Sequence, residues 1–61
     1  MKYQVGDAFA GQTMETFHIV EVNEENNSYK FKVLDEDGKF VRYAEMIGEY
    51  FESDIDWQML I

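Results

Sequence analysis

Apolar and polar residues alternate along most of this chain, and the period changes once. Tyr3 and Val5 alternate with Lys2 and Gln4; Gly6-Asp7 interrupts the run, and Ala8-Phe9-Ala10 resumes it. Phe17 and Ile19 alternate with His18 and Val20, and Val22 closes that stretch. Tyr29, Phe31 and Val33 share one face, with Lys30 and Lys32 on the other, and residues 39–43 are again extended. Period two marks half-buried strands. Between them, residues 11–16 and 23–28 are polar connections, the second dense in turn formers. After Tyr43 the spacing shifts. Met46, Ile47, Tyr50 and Phe51 fall at i, i+1, i+4 and i+5, which predicts a helix of about two turns over 44–52. Gly48 weakens that helix by ~1 kcal/mol relative to Ala, so packing must hold it. Residues 56–61, DWQMLI, read as a last strand with Trp57, Met59 and Ile61 on one face. Termini fray unless docked, so this apolar end is expected to be docked. The predicted core is Tyr3, Val5, Phe9, Phe17, Ile19, Phe31, Val33, Ile47, Phe51, Trp57 and Met59.

The elements run strand, strand, strand, strand, short helix, strand. The expected fold is mainly β: a small five-stranded antiparallel barrel with one short helix before the last strand, a single domain over residues 1–61. YQVGDAF, residues 3–9, carries an aromatic, then V-G-D, then another apolar residue. That stretch and the element order resemble the SH3-like small β-barrel, of the kind found in short phage and bacterial proteins. The resemblance implies a fold. It implies no function, because this architecture hosts many unrelated ones.

Charge sharpens the picture. Thirteen acids face five bases, for a formal net charge of −8 and a pI near 4.2. Nucleic-acid backbones are bound through clustered Lys and Arg, so direct nucleic-acid binding is disfavoured, and so is an anionic membrane surface. A basic protein surface is the natural electrostatic partner; a net negative charge also serves solubility. There is no cysteine, hence no disulfide framework and no thiolate zinc site, which fits the cytoplasm. No apolar run approaches the ~18 residues of a membrane span. The N-terminal residues do not read as a signal peptide.

VLDEDGKF, residues 33–40, poses a choice between a calcium loop and a hairpin turn. An EF-hand needs side-chain ligands at loop positions 1, 3, 5 and 12 and Gly at 6. With Gly38 at the glycine position, Asp35 and Asp37 fit, but the first position is Val33 and the twelfth is Ala44. Neither side chain can ligate. A turn requires nothing further, since Asp initiates turns and Gly accepts a left-handed backbone.

No cofactor is expected, and no catalytic residue stands out. His18 is the only histidine, placed mid-strand, and Ser28 and Ser53 fall in expected turns. Carboxylate pairs for acid–base work need burial to separate their roles, and these acids are expected in turns and on an exposed helix face. The protein reads as a non-enzyme. Two functional readings remain. In the first it is an acidic interaction module. Glu45, Glu49, Glu52, Asp54 and Asp56 lie within residues 45–56, a segment with no base. On a helix, Glu45, Glu49 and Glu52 form a stripe whose 5.4 Å rise per turn is comparable to the spacing of phosphates along a strand, ~3.4 Å. Such a stripe suits a phage-type inhibitor that mimics nucleic-acid charge and docks on a basic nucleic-acid-handling protein. In the second reading the chain is a structural or assembly protein acting as a homodimer or larger homo-oligomer, since domains this short gain from added buried area, with Val20, Val41 and Leu60 as outward apolar residues. A minor reading takes Gln58 and the apolar residues after it as a peptide of the sort that docks on DNA sliding clamps.

Overall fold

Tyr29, Phe31 and Val33, the cleanest alternation in the sequence, are fully buried on the inner face of one strand, β3 (Ser28–Leu34). The structure, a computed structural model, describes residues 2–11, 13–53 and 57–60, without the side chains of Gln58 and Met59. Around β3 stand β1 (Ala8–Ala10), β2 (Thr16–Asn23), β4 (Phe40–Ile47) and β5 (Gln58–Leu60), with one helix, α1 (Gly48–Ser53), before the last strand. They form one antiparallel sheet in the order β4-β3-β2-β1-β5. The expected class, mainly β with one short helix, is what the chain adopts. The expected closure is not: β4 and β5 lie at opposite edges, no pairing joins them among the described residues, and the sheet is open.

Hairpin chemistry sets the register. Between β2 and β3, the Asn23 carboxamide oxygen accepts from the Asn26 N–H at 3.0 Å, and Asn27 takes a left-handed conformation with φ 53°, which Asn tolerates better than most residues. Between β3 and β4, one Asp35 carboxylate oxygen accepts from the backbone N–H groups of Asp37 and Lys39, both at 2.9 Å. Gly38 sits at φ 83° and donates to the Asp35 carbonyl. VLDEDGKF is therefore a hairpin turn flanked by two strands. A β-bulge at Val20 shifts β2 by one residue. It explains why the inner positions of β2 are Phe17, Ile19 and then Val22, which lies opposite Tyr29.

The core is aromatic. Phe51 from α1 is surrounded by the rings of Phe9 and Phe31, each at 4.9 Å, Trp57 at 5.1 Å, Tyr29 at 5.4 Å and Tyr3 at 5.6 Å between centroids. The contacts with Tyr3, Phe9 and Tyr29 are edge-on, which suits the ring quadrupole, and those with Phe31 and Trp57 are tilted. Phe9, Phe17, Ile19, Phe31, Val33 and Phe51 are buried as expected, and Tyr3 and Trp57 pack against them half-buried. Tyr29 joins this core although it was missing from the predicted set. Met59 is a position whose side chain lies outside the described residues.

Three expectations need correction. The alternation over residues 2–5 does not make a strand. The Gln4 carbonyl accepts from the Asp7 N–H at 3.1 Å, the Asp7 carboxylate accepts from the Gln4 N–H at 3.0 Å, and Gly6 has φ 100°. That turn throws Val5 outward, 60% exposed and not in the core. The helix over 44–52 is shorter and later, because β4 runs on to Ile47. Ala44 pairs with Phe31 and Met46 with Tyr29, so the ladder to a buried strand outcompetes the helical spacing. Met46 thus packs inward while its neighbour Ile47 points out, 63% exposed and not in the core. The ladder ends where the Gly48 N–H donates to the Asn27 carbonyl at 2.6 Å.

Candidate functional site

Residues opposite each other in an antiparallel pair share a face. The outer face of the sheet therefore carries the row Glu21–Lys30–Glu45 across β2, β3 and β4, and beside it the row His18–Lys32–Tyr43. Lys30 also lies over the Tyr43 ring at 5.2 Å. Glu45 is thus an exposed strand residue with a lysine as its cross-strand neighbour, not the first member of a helical stripe. Glu49 is exposed in the first turn of α1, where the helix dipole favours an acid. Glu52 turns toward the protein: its carboxylate accepts from the buried Tyr29 hydroxyl and from the Lys2 N–H at 3.3 Å. Asp54 and Asp56 lie outside the described residues. The three predicted glutamates are dispersed over a strand, a helix start and an internal network, and the phosphate-like stripe does not form.

The Tyr29 hydroxyl also accepts from the Tyr3 N–H at 3.1 Å. One oxygen thereby ties β3 to the N-terminal segment and to α1. Burial first, and then the hydrogen bond to Glu52, push the Tyr29 hydroxyl above the ordinary tyrosine range. The hydrogen bond from Tyr29 holds the Glu52 carboxyl below the usual carboxylate range. The signal in the sequence was Tyr29 itself, since a tyrosine on a fully apolar face must find a partner for its hydroxyl.

Other acids are brought together by the fold. The bond from Gly48 to Asn27 sets the β2–β3 turn against the start of α1. Glu24 and Glu25, exposed on that turn, and Glu49, exposed on α1, then occupy one end of the molecule. Ile47 and Tyr50, 71% exposed, flank them. Beside this end Tyr3, Gln4, Val5, Val22 and Glu24 line an open groove of about 450 Å³. Sequence reasoning missed this cluster because its members come from segments 20 and more residues apart.

Among the described residues, no group of three or more His, Cys, Asp or Glu is placed to hold a metal ion. His18 is half-buried on the outer face, with its Nε2 3.2 Å from the Thr16 hydroxyl. Arg42 makes an ion pair with Glu15 at 3.0 Å and lies over the Phe17 ring at 5.8 Å. No described helix is long and apolar enough to cross a membrane. No protein-family model, curated protein or solved structure matches the chain.

Proposed function

We propose that this protein is a small acidic interaction module that docks on a basic protein surface. The observation that carries the reading is the acidic end, where the Gly48–Asn27 hydrogen bond sets the turn that bears Glu24 and Glu25 against the start of α1, with Glu49 between the exposed Ile47 and Tyr50 in sequence. Exposed aromatic and aliphatic anchors within a charged rim are the anatomy of a protein-binding surface. Charge partition supports it. Residues 28–47 hold four acids (Asp35, Glu36, Asp37, Glu45) and four bases (Lys30, Lys32, Lys39, Arg42), and the other nine acids are balanced by Lys2 alone. The partner in this reading is a nucleic-acid-handling protein whose basic channel the acidic end occupies, as a phage-type inhibitor would. The layout reads as a relative of the SH3-like barrel, and the helix before the last strand supports that.

The test is a variant with Glu24, Glu25 and Glu49 all changed to Gln, compared with wild type on basic proteins captured from the native host's lysate. Wild type should retain nucleic-acid-binding proteins at low salt, release them as salt rises, and compete with duplex DNA for them. The variant should associate more slowly, with a flatter salt dependence, because steering charges act mainly on the on-rate. Equal capture and equal competition by both proteins would rule out the acidic end as the docking face.

A further inference from the structure

β4 is an edge strand with nothing paired along its outer side among the described residues. Proteins usually blunt such edges with lysines, prolines, bulges or a covering element. Here the bulge at Val41 disturbs only the start, the inward-facing Arg42 is folded over the Phe17 ring and paired with Glu15, and from Arg42 to Ile47 the ladder to β3 is regular. The edge also presents Tyr43, 59% exposed, and Ile47. It belongs to the segment 28–47, which is electrically neutral in a chain of net charge −8. Two copies that approach through β4 therefore meet at the part of the molecule with least repulsion.

We propose that β4 pairs antiparallel with β4 of a second copy, about a twofold axis normal to the sheet. Such an axis keeps outer faces together, so outward residues must meet outward residues and only alternate registers are allowed. One of these sets Glu45 against Glu45 of the second copy, and like charges directly opposite are destabilising. Another, centred on Tyr43, sets Glu45 against the bulged Val41. The register centred on Ala44 pairs Arg42 to Met46, all within the regular stretch, and sets no like charges opposite each other. It places Tyr43 opposite Glu45 of the second copy, twice by symmetry, and Arg42 opposite Met46. The row Lys32–Tyr43 then continues through Glu45 and Lys30 of the second copy, so no like charges stand opposite each other across the junction. A five-residue strand contact with its flanking side chains is smaller than the ~800 Å² per partner of a standard interface, so the dimer is expected to be weak and to form only as protein concentration rises. This pairing runs from Arg42 to Met46 and leaves Ile47, which adjoins the acidic end, outside the ladder.

Sedimentation equilibrium on the full chain tests it, with two substitutions at the exposed Tyr43. Tyr43→Glu puts like charges opposite each other at both symmetric positions and should weaken the dimer about tenfold or more. Tyr43→Lys puts a base opposite Glu45 of the second copy and should keep the dimer; because Lys32 stands opposite it in its own sheet, far-UV circular dichroism and a melting curve first establish that this variant is folded. In the monomer the new carboxylate of Tyr43→Glu lies between Lys30 and Lys32, so the fold should persist, as far-UV circular dichroism will verify. Amide hydrogen exchange of the wild type gives a readout free of mutation: outward-pointing β4 amides should be protected at high protein concentration and exposed at low. A wild type that is monomeric at millimolar concentration, or β4 protection independent of concentration, overturns the proposal. Equal weakening by Glu and Lys overturns the register.

Discussion

Replacing Tyr29 by Phe removes one oxygen and keeps the ring. That oxygen accepts from the Tyr3 N–H and donates to Glu52. A neutral hydrogen bond contributes ~0.5–1.5 kcal/mol, and one to a charged group ~1.5–3 kcal/mol. Glu52 is only partly buried, so the lower end applies to it, and removing the hydroxyl also relieves its own desolvation. The net loss is about 2 kcal/mol, against a total stability of about 3–9 kcal/mol for a chain of this length. With an unfolding entropy of ~2.1 cal/mol/K per residue, 2 kcal/mol lowers the melting midpoint by about 15 °C. The loss also carries a pH signature. The folded Glu52 carboxyl lies below its ordinary range because Tyr29 donates to it. Stability from a lowered acid is present above its unfolded pKa and disappears as pH falls through the folded value. The gap between wild type and Tyr29→Phe should therefore be widest near neutrality and narrow below about pH 4. At the alkaline end the folded state keeps the Tyr29 proton longer than the unfolded chain does. Wild type then loses stability above about pH 10, and Tyr29→Phe lacks that part of the decline. Thermal and urea unfolding followed by circular dichroism, from pH 3 to above pH 10, measures both. A gap below about 0.5 kcal/mol at pH 7, or one that does not change with pH, would refute the network as the clamp.

Phe51→Ala removes the ring that five other rings surround; at ~3–5 kcal/mol for such a truncation it should abolish the cooperative thermal transition, whereas Phe51→Leu should lower the midpoint and still fold. Deleting residues 57–61 removes β5 and Trp57, which packs against Phe17 at 4.8 Å and Phe51 at 5.1 Å, and should unfold the chain; an unchanged midpoint would show that the tail is dispensable. Calcium at micromolar concentration should leave the amide shifts of residues 35–39 unmoved, because the Asp35 carboxylate already closes the turn; saturable shifts there would contradict the turn.

Alternation was a good guide where both neighbours of a strand were strands. Phe17, Ile19, Phe31 and Val33 lie in β2 and β3, and their buried face followed from period two alone. It failed where local pattern met long-range pairing. The spacing of Met46, Ile47, Tyr50 and Phe51 fits a helix as well as it fits the end of a strand followed by one. Only the cross-strand contacts of Ala44 with Phe31 and Met46 with Tyr29 decide between them. That single shift dispersed the acidic stripe. Val5 failed for another reason: Gly6 and the Gln4–Asp7 turn reverse the chain before it can alternate. The barrel failed because closure depends on how two edge strands meet, and neither edge reads differently in sequence from an interior strand. The acidic end was illegible because its members meet only through long-range pairing, the Ser28–Ile47 end of the β3–β4 ladder and the hydrogen bond between Gly48 and Asn27.

The two associations argued above respond to salt with opposite sign, and this makes them separable in one protein. Docking of the acidic end on a basic surface is an attraction between unlike charges, and added salt weakens it as the Debye length falls to about 10 Å at 0.1 M. Pairing of β4 with a second copy joins two neutral edges, but each carries a remainder in which nine acids face Lys2 alone. The long-range force between copies is therefore repulsive, and salt should strengthen the dimer until apolar and hydrogen-bonded contacts alone set its constant. Sedimentation equilibrium from ~10 mM to ~0.5 M salt should show self-association rising. Over the same range, binding to a captured basic partner should fall. The triple change of Glu24, Glu25 and Glu49 to Gln removes charge from the remainder without touching β4, so it should tighten the dimer at low salt while it weakens partner docking. A dimer that weakens with salt would mean that attraction between unlike charges at the contact outweighs the net repulsion of the two copies, and one that loosens in the triple variant would mean that the acidic end itself takes part in the contact between copies.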